Sequence, residues 1–216
     1  MIKGIIFDLD GTLVNSIEDI SDSMNRALTK YNLETHDVQF YTDHIGQGLY
    51  KLTEDSTNMQ DVDNVYAELL SDYAENYLNK TAPYPEIEAL LTQLYADGLK
   101  LGVNSNKTDA YTKAIVDKLF IVPFVKVIGD RKDVAKKPDP TSANEIMSAM
   151  NLKADEVLYI GDTDHDIKTA FNADLKSIGV TWGYRSEAQL KAAGATYIAH
   201  SVMDIYEIIQ TINKSI

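Results

Sequence analysis

An α/β architecture, with a three-layer parallel-sheet core and one all-helical insert, is what this chain of 216 residues predicts. Two observations carry that prediction. From residue 87 onward helical spacings alternate with short apolar runs, a pattern that builds a parallel sheet covered by helices on both faces. Between residues 15 and 80, apolar residues recur only at helical spacing and no strand pattern appears.

The first strand is Ile5-Ile6-Phe7, ended by Asp8. A helix follows from Asn15-Ser16, with an acidic first turn and Ile17, Ile20, Met24, Ala27, Leu28 and Tyr31 on one face. A second carries Val62, Val65, Leu69, Leu70, Tyr73 and Tyr77, and the glycine-punctuated segment from Ile45 to Lys51 reads as a loop between the two. Two prolines make Thr81-Ala82-Pro83-Tyr84-Pro85 an extended connector back to the core. Ile87, Leu90, Leu91 and Leu94 mark a helix that stops near Gly98. Strands are then expected at Leu101-Gly102-Val103, Val125 to Ile128, Val157 to Ile160, Ser177 to Val180 and Tyr197 to Ala199. Helical patterns fill 109 to 119, 141 to 150, 165 to 173, 187 to 193 and 203 to 213.

Composition narrows the function classes. A net charge of -13 repels nucleic acid and anionic membrane surfaces, so neither is expected as a partner. Any anionic substrate must meet a local cation. With no cysteine there is neither a disulfide framework nor a thiolate metal site, and neither signal peptide nor membrane-length apolar stretch is apparent, so a cytoplasmic protein is expected.

Four polar clusters fall at strand ends. Asp8-Leu9-Asp10-Gly11-Thr12 follows the first strand. A carboxylate there can attack phosphorus, and a second two residues on can handle the proton of the leaving oxygen. Asn104-Ser105-Asn106-Lys107 follows the next strand, Lys136-Lys137-Pro138-Asp139-Pro140 comes after the third, and Gly161-Asp162-Thr163-Asp164-His165-Asp166 ends the fourth. Taken singly, each also reads as a solvated or capping turn. Parallel strands, however, share one carboxyl rim, so the clusters are expected to meet. Convergence of Asp8, Asp10, Asp162 and Asp166 costs about 4 kcal/mol per neighbouring pair at ~4 Å and an effective dielectric of ~20. Such a site calls for a cation, and oxygen ligands without Cys or paired His select a hard ion, Mg²⁺. Lys137 is expected to bridge nucleophile and phosphate, and Ser105 to donate to a phosphate oxygen.

Together these residues resemble the motifs of the haloacid dehalogenase superfamily over nearly the whole chain, and within it the phosphoglycolate-phosphatase-like branch. Residues 8 to 13 with Ser16 are similar to the first motif, Ser105 with Asn106 to the second, Lys137 in its Lys-Pro-Asp-Pro string to the third, and Asp162 with Asp166 to the fourth. The resemblance implies a Rossmann-like core over 1–14 and 81–216 and a mobile helical cap over 15–80. It implies Asp8 as nucleophile and Asp10 as general acid, then base. Mg²⁺ would sit on the Asp8 side chain, the Asp10 backbone carbonyl and Asp162, with Asp166 supporting directly or through water. Gly11, Thr12 and Asn106 are then expected around the phosphate. Gly46, Gln47, Tyr50 and Lys51 are the cap residues expected to reach the substrate, although the same loop fits an ordinary helix connector.

Two positions depart from the family pattern: Glu86 stands where relatives usually have Gly, and Ala173-Asp174 where they have Ala-Gly. Trp182-Gly183-Tyr184 is expected to pack beside the site, and His165 to face solvent or form a hydrogen bond. Members that cleave carbon–halogen bonds lack an acid at the position of Asp10, so phosphate chemistry is favoured. The resulting expectation is a Mg²⁺-dependent phosphatase, monomer or homodimer, acting on a small phosphorylated metabolite of the phosphoglycolate kind. Its rivals are a β-phosphoglucomutase-like phosphomutase, an inorganic pyrophosphatase and a non-catalytic binding module. Thr12 and Ile20 weigh against the mutase, whose relatives carry Val and a cap His there. Retention of Asp8, Asp10, Lys137 and Asp162 weighs against the binding module.

Overall fold

At the centre of the sheet lies β1 (Gly4–Phe7), four buried residues in a computed structural model that describes residues 1–214. Ile5 and Phe7 enter one apolar cluster and Ile6 another. Burial on both faces is why this strand reads as an unbroken apolar run instead of an alternating one. The chain continues through β2 (Val14–Asn15), α1 (Ile17–Lys30), α2 (Val38–His44), α3 (Leu49–Thr57), α4 (Val62–Asn76) and β3 (Ala82–Pro83). Next come α5 (Ile87–Ala96), β4 (Lys100–Thr108), α6 (Asp109–Leu119), β5 (Lys126–Asp130), α7 (Thr141–Met150) and β6 (Val157–Gly161). The last elements are α8 (Asp164–Asn172), β7 (Lys176–Val180), α9 (Glu187–Ala192), β8 (Tyr197–Ala199) and α10 (Val202–Lys214).

Six strands pair in parallel in the order β5-β4-β1-β6-β7-β8. Helices α5, α6 and α10 cover one face through Leu90, Leu91, Ile115 and Ile205, and α7 and α8 cover the other through Ile146, Met150 and Ala170. Each such fully buried Leu or Ile contributes roughly 1.5–3 kcal/mol. Because the chain leaves β1 first toward β4 and later returns to its other side at β6, the carboxyl ends of these three strands border the crevice where α/β sheets bind ligands.

Register between β4 and β5 breaks beside that crevice. Asn104 pairs with Ile128, and the next pair is Thr108 with Asp130. Four residues advance on β4 against two on β5, so residues 105–107 bulge, and a bulge bends a strand and re-aims its side chains. The apolar pattern ends this strand at Val103 and predicts a loop, whereas the strand continues in bent form to Thr108.

The four insert helices enclose a third cluster that includes Met24, Leu28, Tyr41, Leu52, Leu69 and Tyr73. The loop expected over Ile45 to Lys51 is shorter in the structure, because α2 ends at His44 and α3 starts at Leu49, on either side of Gly46 and Gly48, whose φ angles of 126° and 90° favour glycine. The insert is not purely helical at its ends. Val14 pairs with Pro83 and Asn15 with Ala82 in an antiparallel ribbon through which the chain enters and leaves, and two residues per strand are too few to show a period. No helix among the described residues is long and apolar enough to cross a membrane.

Candidate active site

Asp8 leaves β1 with its N–H still donating to the Ile160 carbonyl (2.8 Å), so the sheet itself aims its carboxylate. Lys137 Nζ lies 2.8 Å from Asp8 Oδ1 and 2.7 Å from Asp166 Oδ1, with all three side chains buried. The second contact is a hydrogen bond; the first is Coulombic, and Asp8 Oδ1 has no hydrogen-bond donor. Asp166 is oriented by the N–H and hydroxyl of Thr163, which donate to its Oδ2 at 3.0 and 2.7 Å in a capping box that starts α8. Asp162 Oδ1 accepts from the Thr12 hydroxyl (3.0 Å) and Oδ2 from the Tyr184 N–H (2.7 Å).

Oxygens of Asp8, Asp162 and Asp166 all lie within 4.8 Å of one another. Burial, then the charge of Asp166, pushes Asp8 well above the usual carboxylate range against the pull of Lys137. The same two causes, in that order, push Asp162 up to about 7. Burial alone would lower Lys137, but Asp166 and Asp8 hold it well above its usual value, so it stays an ammonium. Fully ionised, the three carboxylates against one ammonium would leave two negative charges in a buried site, which is why Asp8 and Asp162 are pushed up. An all-oxygen donor set with a buried oxygen lacking a donor fits a divalent cation.

Close approach around Asp162 requires glycine at two positions. A Cβ on Gly11, whose φ is +85°, would lie 2.3 Å from Asp162 Oδ2, and one on Gly183 would lie 2.3 Å from Asp162 Cβ. Sequence-predicted Gly11 and Thr12 thus support Asp162 and do not line the cavity. Their N–H groups are already bonded to the carbonyls of Val14 and Leu9, which leaves no donor for a phosphate.

Asp10 forms a second cluster. Its Oδ1 accepts from the Ser16 hydroxyl (2.5 Å) and its Oδ2 from Lys107 Nζ (2.9 Å). Ser105 Oγ accepts from the Lys107 N–H (3.2 Å), which leaves its own proton for another acceptor. Asn106 turns its carbonyl to the Lys137 N–H (2.9 Å) and its amide to the Gly46 carbonyl (2.9 Å), so it joins the core to the insert. A cavity of about 420 Å³, counting space open to solvent, lies between them. Asp8, Asp10, Ser105, Asn106 and Lys137 line it from the core, and Ile20, Ile45, Gly46 and Leu49 from the insert.

Residues 5–180 match the family model of the haloacid dehalogenase-like hydrolases. The chain belongs to this family. It is 29% identical to a phosphoglycolate phosphatase from Vibrio parahaemolyticus over 219 residues, covering 96% of each chain. To a phosphoglycolate phosphatase from Aquifex aeolicus it is 33% identical, covering 83% of this chain and 85% of that one. Among solved structures, that of a predicted phosphoglycolate phosphatase from Haemophilus somnus superposes with a TM-score of 0.89 at 28% identity, over 96% of this chain and 98% of the other.

In this member of the haloacid dehalogenase-like hydrolases, three cap residues expected at the substrate fall elsewhere. Lys51 lies on α3, not in a loop, and its ammonium is held by Asp55 (2.7 Å) and Glu54 (3.4 Å) one turn on, away from the cavity. Gln47 is exposed, and the Tyr50 hydroxyl donates to Asp63 (2.9 Å). His165 is partly exposed, and its buried Nδ1, 3.4 Å from Asp164, has no hydrogen-bond partner.

The Trp182-Gly183-Tyr184 string does more than pack: Trp182 Nε1 donates to the Thr12 carbonyl (3.1 Å), and the Tyr184 N–H holds Asp162. Sequence reasoning named Lys107 in its cluster but gave it no role of its own, and missed Arg185. Arg185 donates to the carbonyls of Thr42 (2.9 Å) and Ile45 (2.8 Å) at the end of α2, a contact with no local signal. Charge counting could have found Lys107, since four converging acids were matched with a single lysine.

Proposed function

We propose that this protein is a Mg²⁺-dependent phosphatase that hydrolyses a small phosphate monoester, of the 2-phosphoglycolate kind, through an aspartyl-phosphate. The observation that carries this reading is Lys137 bridging the buried carboxylates of Asp8 and Asp166 at the floor of a cavity that Asp10 also lines. The names of the relatives support it.

Asp8 attacks phosphorus as the ester P–O bond breaks, and Asp10 gives the departing oxygen its proton. Water then attacks the aspartyl-phosphate while Asp10 takes a proton back. Lys137 and the Ser105 hydroxyl stabilise the phosphoryl oxygens. Asp8, Asp162, Asp166 and the Asp10 carbonyl would hold Mg²⁺, which supplies positive charge against the developing negative charge of the transferring group. Residues 15–80 act as a cap over the rest of the chain. The insert closes on the cavity through Ile20, Ile45 and Leu49, which excludes water while the nucleophile is exposed to substrate. Ile20 also weighs against the mutase reading, because it puts an apolar side chain where that chemistry calls for a His.

Phosphate release from 2-phosphoglycolate, hexose phosphates, pyrophosphate and p-nitrophenyl phosphate, with Mg²⁺ and with chelator, tests the proposal. Metal-dependent release that Asp8→Asn abolishes is expected. Full turnover by Asp8→Asn would end the mechanism, and sugar-phosphate isomerisation with little free phosphate would restore the mutase.

A further inference from the structure

Lys107 is a lysine whose side chain is 1% exposed, at the end of a strand that buries Leu101 and Val103 and then the polar Asn104, Ser105 and Asn106. The bulge over residues 105–107 aims it inward. Its Nζ has two neighbours that replace water: Asp10 Oδ2 at 2.9 Å, and the ring of Tyr73 on insert helix α4, with the centroid 5.1 Å away. Burial works against the ammonium, but Asp10 and then Tyr73 outweigh it and hold Lys107 above its usual value. An ammonium has only donors, so the atom it touches must offer it a lone pair. Asp10 Oδ2 therefore spends a lone pair on the ammonium, and that contact holds this oxygen in place. The other oxygen accepts from the Ser16 hydroxyl (2.5 Å), so the two contacts together set the plane of the carboxyl.

We propose that Lys107 is a positioning residue that holds Asp10 by its Oδ2 and so fixes the plane of that carboxyl, with Oδ1 as the oxygen presented to the leaving group. The inference rests on the phosphatase reading, in which Asp10 is the acid. The P–O bond to Asp8 forms as the ester P–O bond breaks, the bonding pair leaves on the ester oxygen, and the Oδ1 proton joins it. In the second half the proton of the attacking water returns to Oδ1. Lys107 itself neither gains nor loses a proton.

Alkyl leaving groups need that proton, whereas p-nitrophenolate departs without it. For Lys107→Met, kcat/KM on 2-phosphoglycolate and ethyl phosphate is expected to fall at least tenfold further than on p-nitrophenyl phosphate, with Lys107→Arg recovering part of the difference. A merely structural lysine would lower both classes equally, and that result overturns the proposal. If Lys107→Met fails to fold, the pair Asp10→Asn with Lys107→Met removes both buried charges and carries the test. On p-nitrophenyl phosphate it is expected to match Asp10→Asn alone within about twofold, because a residue acting through Asp10 has nothing left to position. A further tenfold loss refutes the idea. Asp8→Asn reports separately on the phosphatase reading: if it stays active, that reading fails whatever Lys107 does.

Discussion

Asp19 Oδ2 accepts hydrogen bonds from both the N–H and the hydroxyl of Thr81, each at 2.8 Å, across 62 residues of chain. The Lys80 N–H also donates to this carboxylate, at 3.0 and 2.9 Å to its two oxygens. Asp19 sits in the first turn of α1 and is buried, so one side chain ties the entry of the insert to its exit beside the β2–β3 ribbon.

Asp19→Ala leaves the buried N–H and hydroxyl of Thr81, and the part-buried N–H of Lys80, without this acceptor. Unpaired buried donors cost about 1–3 kcal/mol each. The variant is expected to lose on the order of 3 kcal/mol in urea unfolding, and Thr81→Val, which removes only the hydroxyl, about 1 kcal/mol. A loss below 0.5 kcal/mol for Asp19→Ala would show that the clamp is not made in solution.

Arg185 and Asn106 reach from the core to the carbonyls of Thr42, Ile45 and Gly46. If the insert acts as the cap proposed above, these contacts favour its closed arrangement over the cavity, and a smaller closed fraction raises apparent KM in proportion. Arg185→Met is expected to raise KM roughly tenfold, the effect of about 1.4 kcal/mol, with kcat changed much less. Steady-state kinetics on the substrate that Asp8→Asn fails to turn over checks this, and an unchanged KM would remove Arg185 from the closing contacts.

How much of this was legible in the sequence depended on burial and local signal. Ile5-Ile6-Phe7 and Val157 to Ile160 were readable because both faces of a parallel sheet are dry. The meeting of Asp8, Lys137 and Asp162 followed from parallel topology alone. Lys107 was given no role of its own because a bulged strand of polar residues has no period, so residues 104–107 read as a loop. Lys51 was misplaced because Gly46 and Gly48 punctuate the chain so strongly that the nine-residue α3 directly after them was read as more loop. Arg185 bonds residues some 140 positions away, and nothing local encodes that.

The two departures from the family pattern have a conformational cost that the structure makes visible. Glu86 has φ +68° and Asp174 φ +58°, both in the left-handed region, and both are exposed. A residue with a Cβ loses roughly 1–2 kcal/mol there, Asp somewhat less. Glu86→Gly is expected to stabilise the protein by about 0.5–1 kcal/mol after the greater unfolded-state entropy of glycine is subtracted. Asp174→Gly should gain less. Thermal melts should rise by about 1–4 °C for Glu86→Gly, and a fall would mean that the Glu86 side chain makes a contact worth more than the strain.

Asp162 makes the metal-free protein sensitive to pH in a direction opposite to a salt-bridged acid. Its folded pKa is pushed up to about 7 from 3.8, first by burial and then by Asp166, so between these values the folded chain binds more protons than the unfolded one. Stability contributed by this group is therefore fully present below about pH 4 and is lost as pH rises toward 7. A shift of this size corresponds to on the order of 4 kcal/mol. Chelator-treated wild type is expected to be less stable at pH 8 than chelator-treated Asp162→Asn, which carries no charge to bury. Adding Mg²⁺ should reverse the order, because the cation offsets the buried carboxylates of the wild type and finds one ligand fewer in the variant. Urea titrations at pH 5, 6.5 and 8, with and without Mg²⁺, measure both effects. If wild type and Asp162→Asn show the same pH dependence without metal, the carboxylate cluster is not a buried charge store, and the reason for placing a divalent ion there is gone.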